Sequence, residues 1–166
     1  MATFEISLSD NQEIFSVNHE EIERDAGLIL EYAFKNPEIL NQSVLKDYDL
    51  SDKTVSVDIL LTDNKEIEAL NSSYRGQDKP TDVLSFALFA DNPDKILPGN
   101  FIPLGEVMIS VETAKLQADS NKIPLEEELN FLLCHGILHL LGFTHPNEES
   151  LELLLEIQTE ILTAIK

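Results

Sequence analysis

Three of the four histidines of this chain lie within the eleven-residue segment HGILHLLGFTH. They are His135, His139 and His145, in the pattern H-x3-H-x2-G-x2-H. Because residues four apart on a helix project from one face, His135 and His139 can reach the same cation. Gly142 stands where a helix commonly ends in a left-handed residue, which lets the chain turn back and bring His145 to that cation. Three imidazoles with an open fourth position are typical of a catalytic zinc.

The same spacing occurs in the long zinc-protease motif, except that Gly136 replaces the glutamate that serves there as general base. We therefore expect one zinc ion per chain in a protease-like metal site that does not cleave peptides. The alternative is that the histidines are ordinary core residues. That interpretation must explain why three histidines and a turn glycine occur together at this spacing. His19 is expected on the surface. Cys134 is expected to be a buried apolar residue, with zinc ligation as its alternative.

The length and charge of the chain limit its functions. At 166 residues it is long enough for one domain with its own core, which we assign to residues 1–166. A net charge of −20 argues against broad electrostatic affinity for nucleic acid. The two arginines are Arg24 and Arg75, and neither Lys nor Arg occurs between Ile123 and Ile165, where the histidines lie. Positive potential at the site must therefore come from a metal and from cations elsewhere in the chain.

The single cysteine rules out an internal disulfide and fits a reducing compartment. The first residues, MATFEISLSDNQE, lack a basic region followed by an apolar segment, so no secretory signal is visible. The longest apolar stretch, about Leu129–Phe143, is interrupted by two histidines and is too short to span a membrane. These features predict a cytoplasmic protein without a membrane partner.

Hydrophobic periodicity and turn residues predict an α+β domain with one mixed sheet of about four strands and the two helical histidines on a central helix. The predicted strands are about Phe4–Leu8, Thr54–Thr62, Asp82–Phe89 and Gly105–Val111. The predicted helices are about His19–Lys35, part of Pro37–Leu45, Asn64–Ser73, Glu112–Asn121, Pro124–Leu141 and Asn147–Ile165. The segment DNPDKILPGNFIP, with three prolines and a glycine, is expected to be a long irregular loop.

A second group of polar residues lies in the segment LNSSYRGQDKPTDVLSF, Leu70–Phe86. Its pattern indicates a helix end, a turn with glycine, a proline and a strand. Arg75, Lys79 and Asp82 fall at predicted loop or strand-start positions, where functional groups are commonly carried. Arg75 has a structural alternative, which is to cap the carbonyl groups at the end of the preceding helix. The spacing leaves both interpretations open.

Together with LGEVMIS (Leu104–Ser110) and the histidine segment, this stretch resembles the YbeY-type bacterial endoribonucleases, which are rRNA maturation factors. That family has an LN-x2-YR-x2-D-x-PTDVLSF segment, an LGD/E strand and HGxLHLxGYDH, and the resemblance runs in this order from about Val55 to the C-terminus. It implies a zinc-dependent, single-strand-specific endoribonuclease in 16S rRNA 3′-end maturation and ribosome quality control. At the matching positions His135, His139 and His145 are the zinc ligands, and Arg75 is the essential basic residue.

The resemblance also implies partners and has two departures. Single-stranded and ribosomal RNA and the ribosome or its associated proteins are the expected partners, and DNA is not. Thr144 replaces the family aspartate beside the third ligand, where a second polar group could orient a ligand. Ala87 replaces the proline that usually follows VLSF.

The expected chemistry is metal-assisted phosphodiester cleavage, with Arg75 as a bidentate clamp on the phosphate. Asp82 and Glu106 are candidate proton carriers, and their structural alternatives are turn capping and a charge at the sheet edge. Three other functions stay open. They are a peptidase without the usual glutamate, another zinc hydrolase with a small substrate, and a non-catalytic ribosome-associated zinc protein.

Overall fold

A four-stranded mixed sheet in the order β1-β2-β4-β3 organises the chain. The computed structural model describes residues 2–91 and 99–166. The strands are β1 (Thr3–Asp10), β2 (Thr54–Thr62), β3 (Val83–Phe86) and β4 (Phe101–Ser110). β1 and β4 both run parallel to β2, whereas β3 is antiparallel to β4. The predicted α+β class and the mixed sheet are confirmed.

Six helices pack around this sheet in the described part of the chain. They are α1 (His19–Lys35), α2 (Pro37–Leu40), α3 (Asn64–Arg75), α4 (Val111–Asn121), α5 (Leu125–Leu140) and α6 (Glu148–Ala164). Side-chain caps explain five of the six starts, because one residue before each of these helices accepts a hydrogen bond from a backbone N–H of the first turn. These residues are Asn18, Asn36, Asp63, Ser110 and Asn147. No helix within residues 2–91 and 99–166 is long and apolar enough to cross a membrane.

Several element bounds differ from the sequence-based expectation. β3 ends at Phe86 rather than Phe89, and β4 begins at Phe101, inside the segment expected to be a loop. Residues 92–98 of that expected loop lie outside the described residues. α3 continues to Arg75 instead of ending at Ser73, so Arg75 belongs to a helix and not to a loop.

The two faces of the sheet carry cores of unequal size. Alternate residues of β2 face the larger core, in which α5 packs against β3, β4 and three other helices. The residues of β2 that do so are Val55, Val57, Ile59 and Leu61. The other face carries a smaller cluster of Ile67, Leu84 and Met108, which α3 covers. The larger core therefore fixes α5, and with it the two helical histidines, against the centre of the sheet.

Candidate metal centre

The three histidines meet where α5 ends. His135 and His139 lie one turn apart on α5, and Gly142 follows the helix with φ +95°. A side chain at Gly142 would also place its Cβ within van der Waals overlap of Val44 Cγ1. Glycine is therefore required here twice, by the left-handed backbone and by the close approach of Val44. The turn that results carries His145 back to the other two rings.

The ring nitrogens of the three histidines are close enough to share one ion. The Nε2 atoms of His135 and His139 are 3.0 Å apart, and one ligand atom from each histidine lies within 4.8 Å of the others. Tetrahedral zinc with bonds of 2.0–2.1 Å places its ligand atoms about 3.3 Å apart. Small rotations of the rings span that difference, so the cluster could hold a metal ion.

Gln158 fixes the orientation of His135. This side chain is fully buried on α6, its Nε2 donates to the Phe131 carbonyl at 2.9 Å, and its Oε1 lies 3.2 Å from His135 Nδ1. Because the amide nitrogen of Gln158 is already used, Oε1 must accept the proton carried by His135 Nδ1. The lone pair of His135 is thereby left on Nε2, the atom that faces His139, as a metal ligand requires.

Burial favours the neutral form of the His135 and His139 imidazoles. It lowers the pKa of His139 to about 4, with further lowering from the positive charge that His135 and His145 would carry. Burial also lowers the pKa of His135, although the hydrogen bond with Gln158 acts in the opposite direction. Metal ligation requires the neutral form with a free lone pair, so near pH 7 the donor set fits a divalent metal of the zinc type.

Arg75 lies on the wall of the same cavity as the histidines, which has a volume of about 630 Å³. Its guanidinium group donates to the Ser85 carbonyl of β3 at 3.2 Å, and it contributes to the low pKa of His139. The helix-cap alternative for Arg75 is wrong, because Gly76, with φ +67°, and the residue after it donate their N–H groups to the last carbonyls of α3. The fold therefore brings the two sequence-predicted groups together.

The two candidate proton carriers have different surroundings. Asp82 lies on the wall of the metal cavity, where its carboxylate accepts from the Val83 N–H at 2.8 Å and from Gln117 Nε2 at 3.2 Å. Val107 of β4 faces α5, because a Cβ added to Gly136 of that helix would lie 2.5 Å from Val107 Cγ1. Glu106 therefore points to the opposite face, where burial and the charge of Asp58 raise its pKa.

Glu106 is thus outside the metal cavity, and β4 is an inner strand, so it is not a sheet-edge charge either. Lys79 is exposed and does not contribute to the cavity wall. Cys134 is fully buried, which raises the pKa of its thiol to about 12, and it does not belong to the histidine cluster. His19 is about half exposed, as expected, and lies 2.7 Å from Asp10.

Two residues of the site, Gln158 and Ser85, are not predicted by any pattern that marks the histidines or Arg75. Gln158 is a polar residue among Leu154, Ile157 and Ile161 on the buried face of α6, and a glutamine on such a face is a usable signal for a buried hydrogen bond. Ser85 lies on the cavity wall and donates to the Gly136 carbonyl at 3.4 Å. No local pattern distinguishes it from the other polar residues of its segment.

Fold and site define an α+β protein in which three histidines at the end of a central helix could hold a metal ion. The chain matches the family described as endoribonuclease YbeY over residues 7–166. The chain therefore belongs to the endoribonuclease YbeY family, whose members are hydrolytic RNA endonucleases.

Individual relatives carry the same name. Endoribonuclease YbeY of Prochlorococcus marinus is 37% identical over 133 residues, which cover 80% of this chain and 68% of that protein. The Trichormus variabilis protein is 45% identical over 66% of this chain, but the match spans only 63% of its own length. The Syntrophomonas wolfei protein is 40% identical over 77% of this chain and 85% of its own. The solution structure of TM1509 from Thermotoga maritima has a TM-score of 0.53 and 24% identity over 99% of this chain and 91% of that one, and it supports the fold alone.

Proposed function

We propose that this chain is a zinc-dependent endoribonuclease that cleaves single-stranded RNA and acts in 16S rRNA 3′-end maturation and ribosome quality control. Membership of the endoribonuclease YbeY family supports hydrolytic cleavage of RNA and a role in rRNA processing. The proposal includes a cytoplasmic location, the ribosome or its associated proteins as partners, no DNA substrate, and one enzymatic domain over residues 1–166.

One observation carries the proposal. The ring nitrogens of three histidines and the guanidinium group of Arg75 line a single cavity of about 630 Å³. A metal ion and an arginine in one cavity suit the cleavage of a phosphodiester, because both cations stabilise the negative charge on its phosphoryl oxygens. A peptidase would instead need a general base beside the metal, and Gly136 cannot supply one.

In this mechanism His135, His139 and His145 hold the zinc ion through neutral imidazoles. When bound, zinc supplies a Lewis acid that polarises phosphoryl oxygen and lowers the pKa of bound water. Arg75 binds the phosphate through its planar donors and stabilises the negative charge that develops as the ester bond breaks. Asp82, on the same cavity wall as the histidines, is a carboxylate that can accept or return a proton. Gln158 holds the proton on His135 Nδ1, which keeps that ring out of the proton transfers.

The test compares a single-stranded RNA with the same sequence in a duplex, using purified protein of known zinc content. We expect one zinc per chain, cleavage of the single strand only, and loss of both zinc and cleavage in His139→Ala. Arg75→Ala should retain zinc and its melting temperature but lose about a hundredfold or more in cleavage rate, as for loss of a charge-assisted contact to the transition state.

Lys79→Ala is the matched control, since it removes an exposed cation of the same segment outside the cavity. It should cleave at the wild-type rate. Protein that carries zinc and folds normally but cleaves no RNA would favour the non-catalytic ribosome-associated alternative. Equal cleavage of duplex and single strand would contradict the proposed specificity. A fully active Arg75→Ala would contradict the role given to the arginine.

A further inference from the structure

A second cavity, of about 810 Å³, lies between α1, α4, α5 and α6. It is larger than the metal cavity and falls in the size range of small-molecule sites. The side chain of Asp82 lies on the wall of both cavities, so they adjoin at this residue. A molecule bound in the second cavity would therefore lie next to the metal centre.

The wall of this cavity has an excess of negative charge, with five carboxylate side chains against two cationic ones. On the α1 side the charges are matched, because Arg24 lies 3.1 Å from Asp25 and 3.8 Å from Glu21. Elsewhere on the wall, Glu127, Glu128 and Asp82 form no ion pair with any described residue. The unmatched negative charge is thus concentrated between α5 and the start of β3.

Glu128 is the most informative of these carboxylates. It is only 6% exposed, and the described residues provide its carboxylate with neither a hydrogen-bond donor nor a cation. Its oxygens are not sealed within the protein, so they open on the cavity. Burial, Asp82 and Glu127 all raise its pKa. A carboxylate buried to this extent is ordinarily paired, which indicates that the partner is a ligand.

The apolar part of the wall identifies the kind of cation. Ile123, Phe131 and Leu162 line the cavity together with the carboxylates. Within the described residues the histidine triad alone has the spacing of a metal site, and a hydrated metal ion would leave the apolar wall in contact with water. A flexible chain of methylene groups between ammonium groups matches both parts of the wall, because the methylenes cover apolar surface while the ammonium ions meet carboxylates.

We propose that this cavity binds an aliphatic polyamine, with ammonium groups against Glu128 and Asp82 and methylene segments along Phe131 and Leu162. Several separated carboxylates favour a ligand with more than one ammonium group over a single lysine side chain. A further consequence depends on the proposed function. The bound polyamine would place positive charge beside the metal cavity, where a protein of net charge −20 must hold an RNA phosphate.

The test is calorimetric titration of the full-length, zinc-loaded protein with spermidine, without RNA. We expect saturable binding of one spermidine per chain. Glu128→Gln should weaken it about tenfold or more, as expected for loss of a charge-assisted contact. Glu126→Gln is the matched control, because it removes a negative charge from the same helical turn at an exposed position outside the cavity. Its affinity should stay within about twofold of wild type, since exposed charges contribute little.

A second pair of variants does not alter a buried residue. Thr159→Lys places an ammonium group at the cavity wall and should block spermidine, whereas Leu155→Lys adds the same charge to the exposed part of α6 away from the cavity and should not. The proposal is overturned if the two variants of either pair change spermidine affinity equally, because spermidine would then be attracted to the acidic surface in general. Tighter binding of an Ala-Lys-Ala peptide than of spermidine would also overturn it, because the site would then recognise a protein.

RNA provides a separate measurement. On zinc-loaded protein with a cleavage-resistant analogue of single-stranded RNA, spermidine should raise RNA affinity more for the Glu126→Gln variant than for Glu128→Gln, a comparison in which direct binding of spermidine to RNA cancels. Absence of RNA binding with intact spermidine binding would contradict the proposed function and leave the cavity assignment standing. Absence of saturable spermidine binding overturns the cavity assignment whatever RNA does.

Discussion

Replacing Gln158 with leucine tests whether the metal centre depends on the hydrogen bond behind His135. Gln158 is fully buried on α6, and its amide connects the Phe131 carbonyl with His135 Nδ1. Leucine is of similar size but has no polar atoms, so Gln158→Leu deletes both hydrogen bonds without opening a large cavity. The ring of His135 then has no acceptor that fixes its Nδ1 proton.

The magnitude follows from which groups lose their partner. The Phe131 carbonyl lies inside α5 and still accepts a helical hydrogen bond from the backbone N–H four residues later. Losing the hydrogen bond from Gln158 to this carbonyl therefore costs little stability. The His135 N–H has no second partner and is left unsatisfied in a mostly buried position, at a cost of about 1–3 kcal/mol in the free energy of unfolding. Removal of such an outer-shell partner typically weakens metal binding 10–100-fold, which is about 1.4–2.7 kcal/mol.

Both quantities are measurable on one preparation. Zinc affinity by competition with a chromophoric chelator should fall about 10–100-fold, and urea unfolding of the metal-free protein should show the loss of stability. Gln42→Leu is the control, since this exposed glutamine only donates to the Glu38 carbonyl. A Gln158→Leu protein whose zinc affinity stays within about twofold of wild type would refute the argument that Gln158 orients a metal ligand.

Three further outcomes are expected. Arg75→Lys should recover only part of the RNA cleavage lost in Arg75→Ala, because an ammonium group lacks the bidentate fork; full recovery would reduce the role of Arg75 to its charge. Gly136→Ala should lower the free energy of unfolding by about 1–3 kcal/mol in urea titrations, because the added Cβ would lie 2.5 Å from Val107 Cγ1; unchanged stability would mean that β4 gives way. The metal-free protein should lose stability as the pH falls from 6.5 towards about 4. The pKa of His139 is lowered from 6.5 to about 4 in the folded protein, so in this pH range the unfolded chain binds a proton that the folded chain does not. Urea unfolding at several pH values measures this, and an equally steep profile in metal-free His139→Gln would contradict it.

The sequence predicted that the three histidines meet, because the determinants of this cluster are local. The spacing of His135 and His139 acts through helix geometry alone, and Gly142 acts through a backbone angle that glycine adopts without strain. The main strands and helices were predictable for the same reason, since caps such as Asn18 and Asp63 lie within four residues of the turns they stabilise. Such features need no knowledge of distant residues.

Features that depend on tertiary packing were not predictable in this way. The placement of Glu106 is one example, because the pairing of β2 with β4 shifts register between Ser56 and Val57. A shift of one residue exchanges the two faces of a strand, so the sequence alone could not decide which side Glu106 occupies. The contact of Gln158 with His135 spans 23 residues and depends on how α6 packs against α5.

Gly136 connects the packing of the fold with the chemistry of the site. From the sequence it was only a missing glutamate beside the first histidine of a protease-like motif. In the structure an ideal Cβ at this position would lie 2.5 Å from Val107 Cγ1 and 3.2 Å from Ser85 Oγ, and the branched valine has little freedom to move away. The close packing of α5 on the sheet therefore makes any side chain costly at the position from which zinc peptidases present their general base. A fold that holds α5 this close to β3 and β4 keeps the three histidines together but lacks that base. It also brings Arg75, on α3, to the same cavity, as a charged group suited to a phosphodiester.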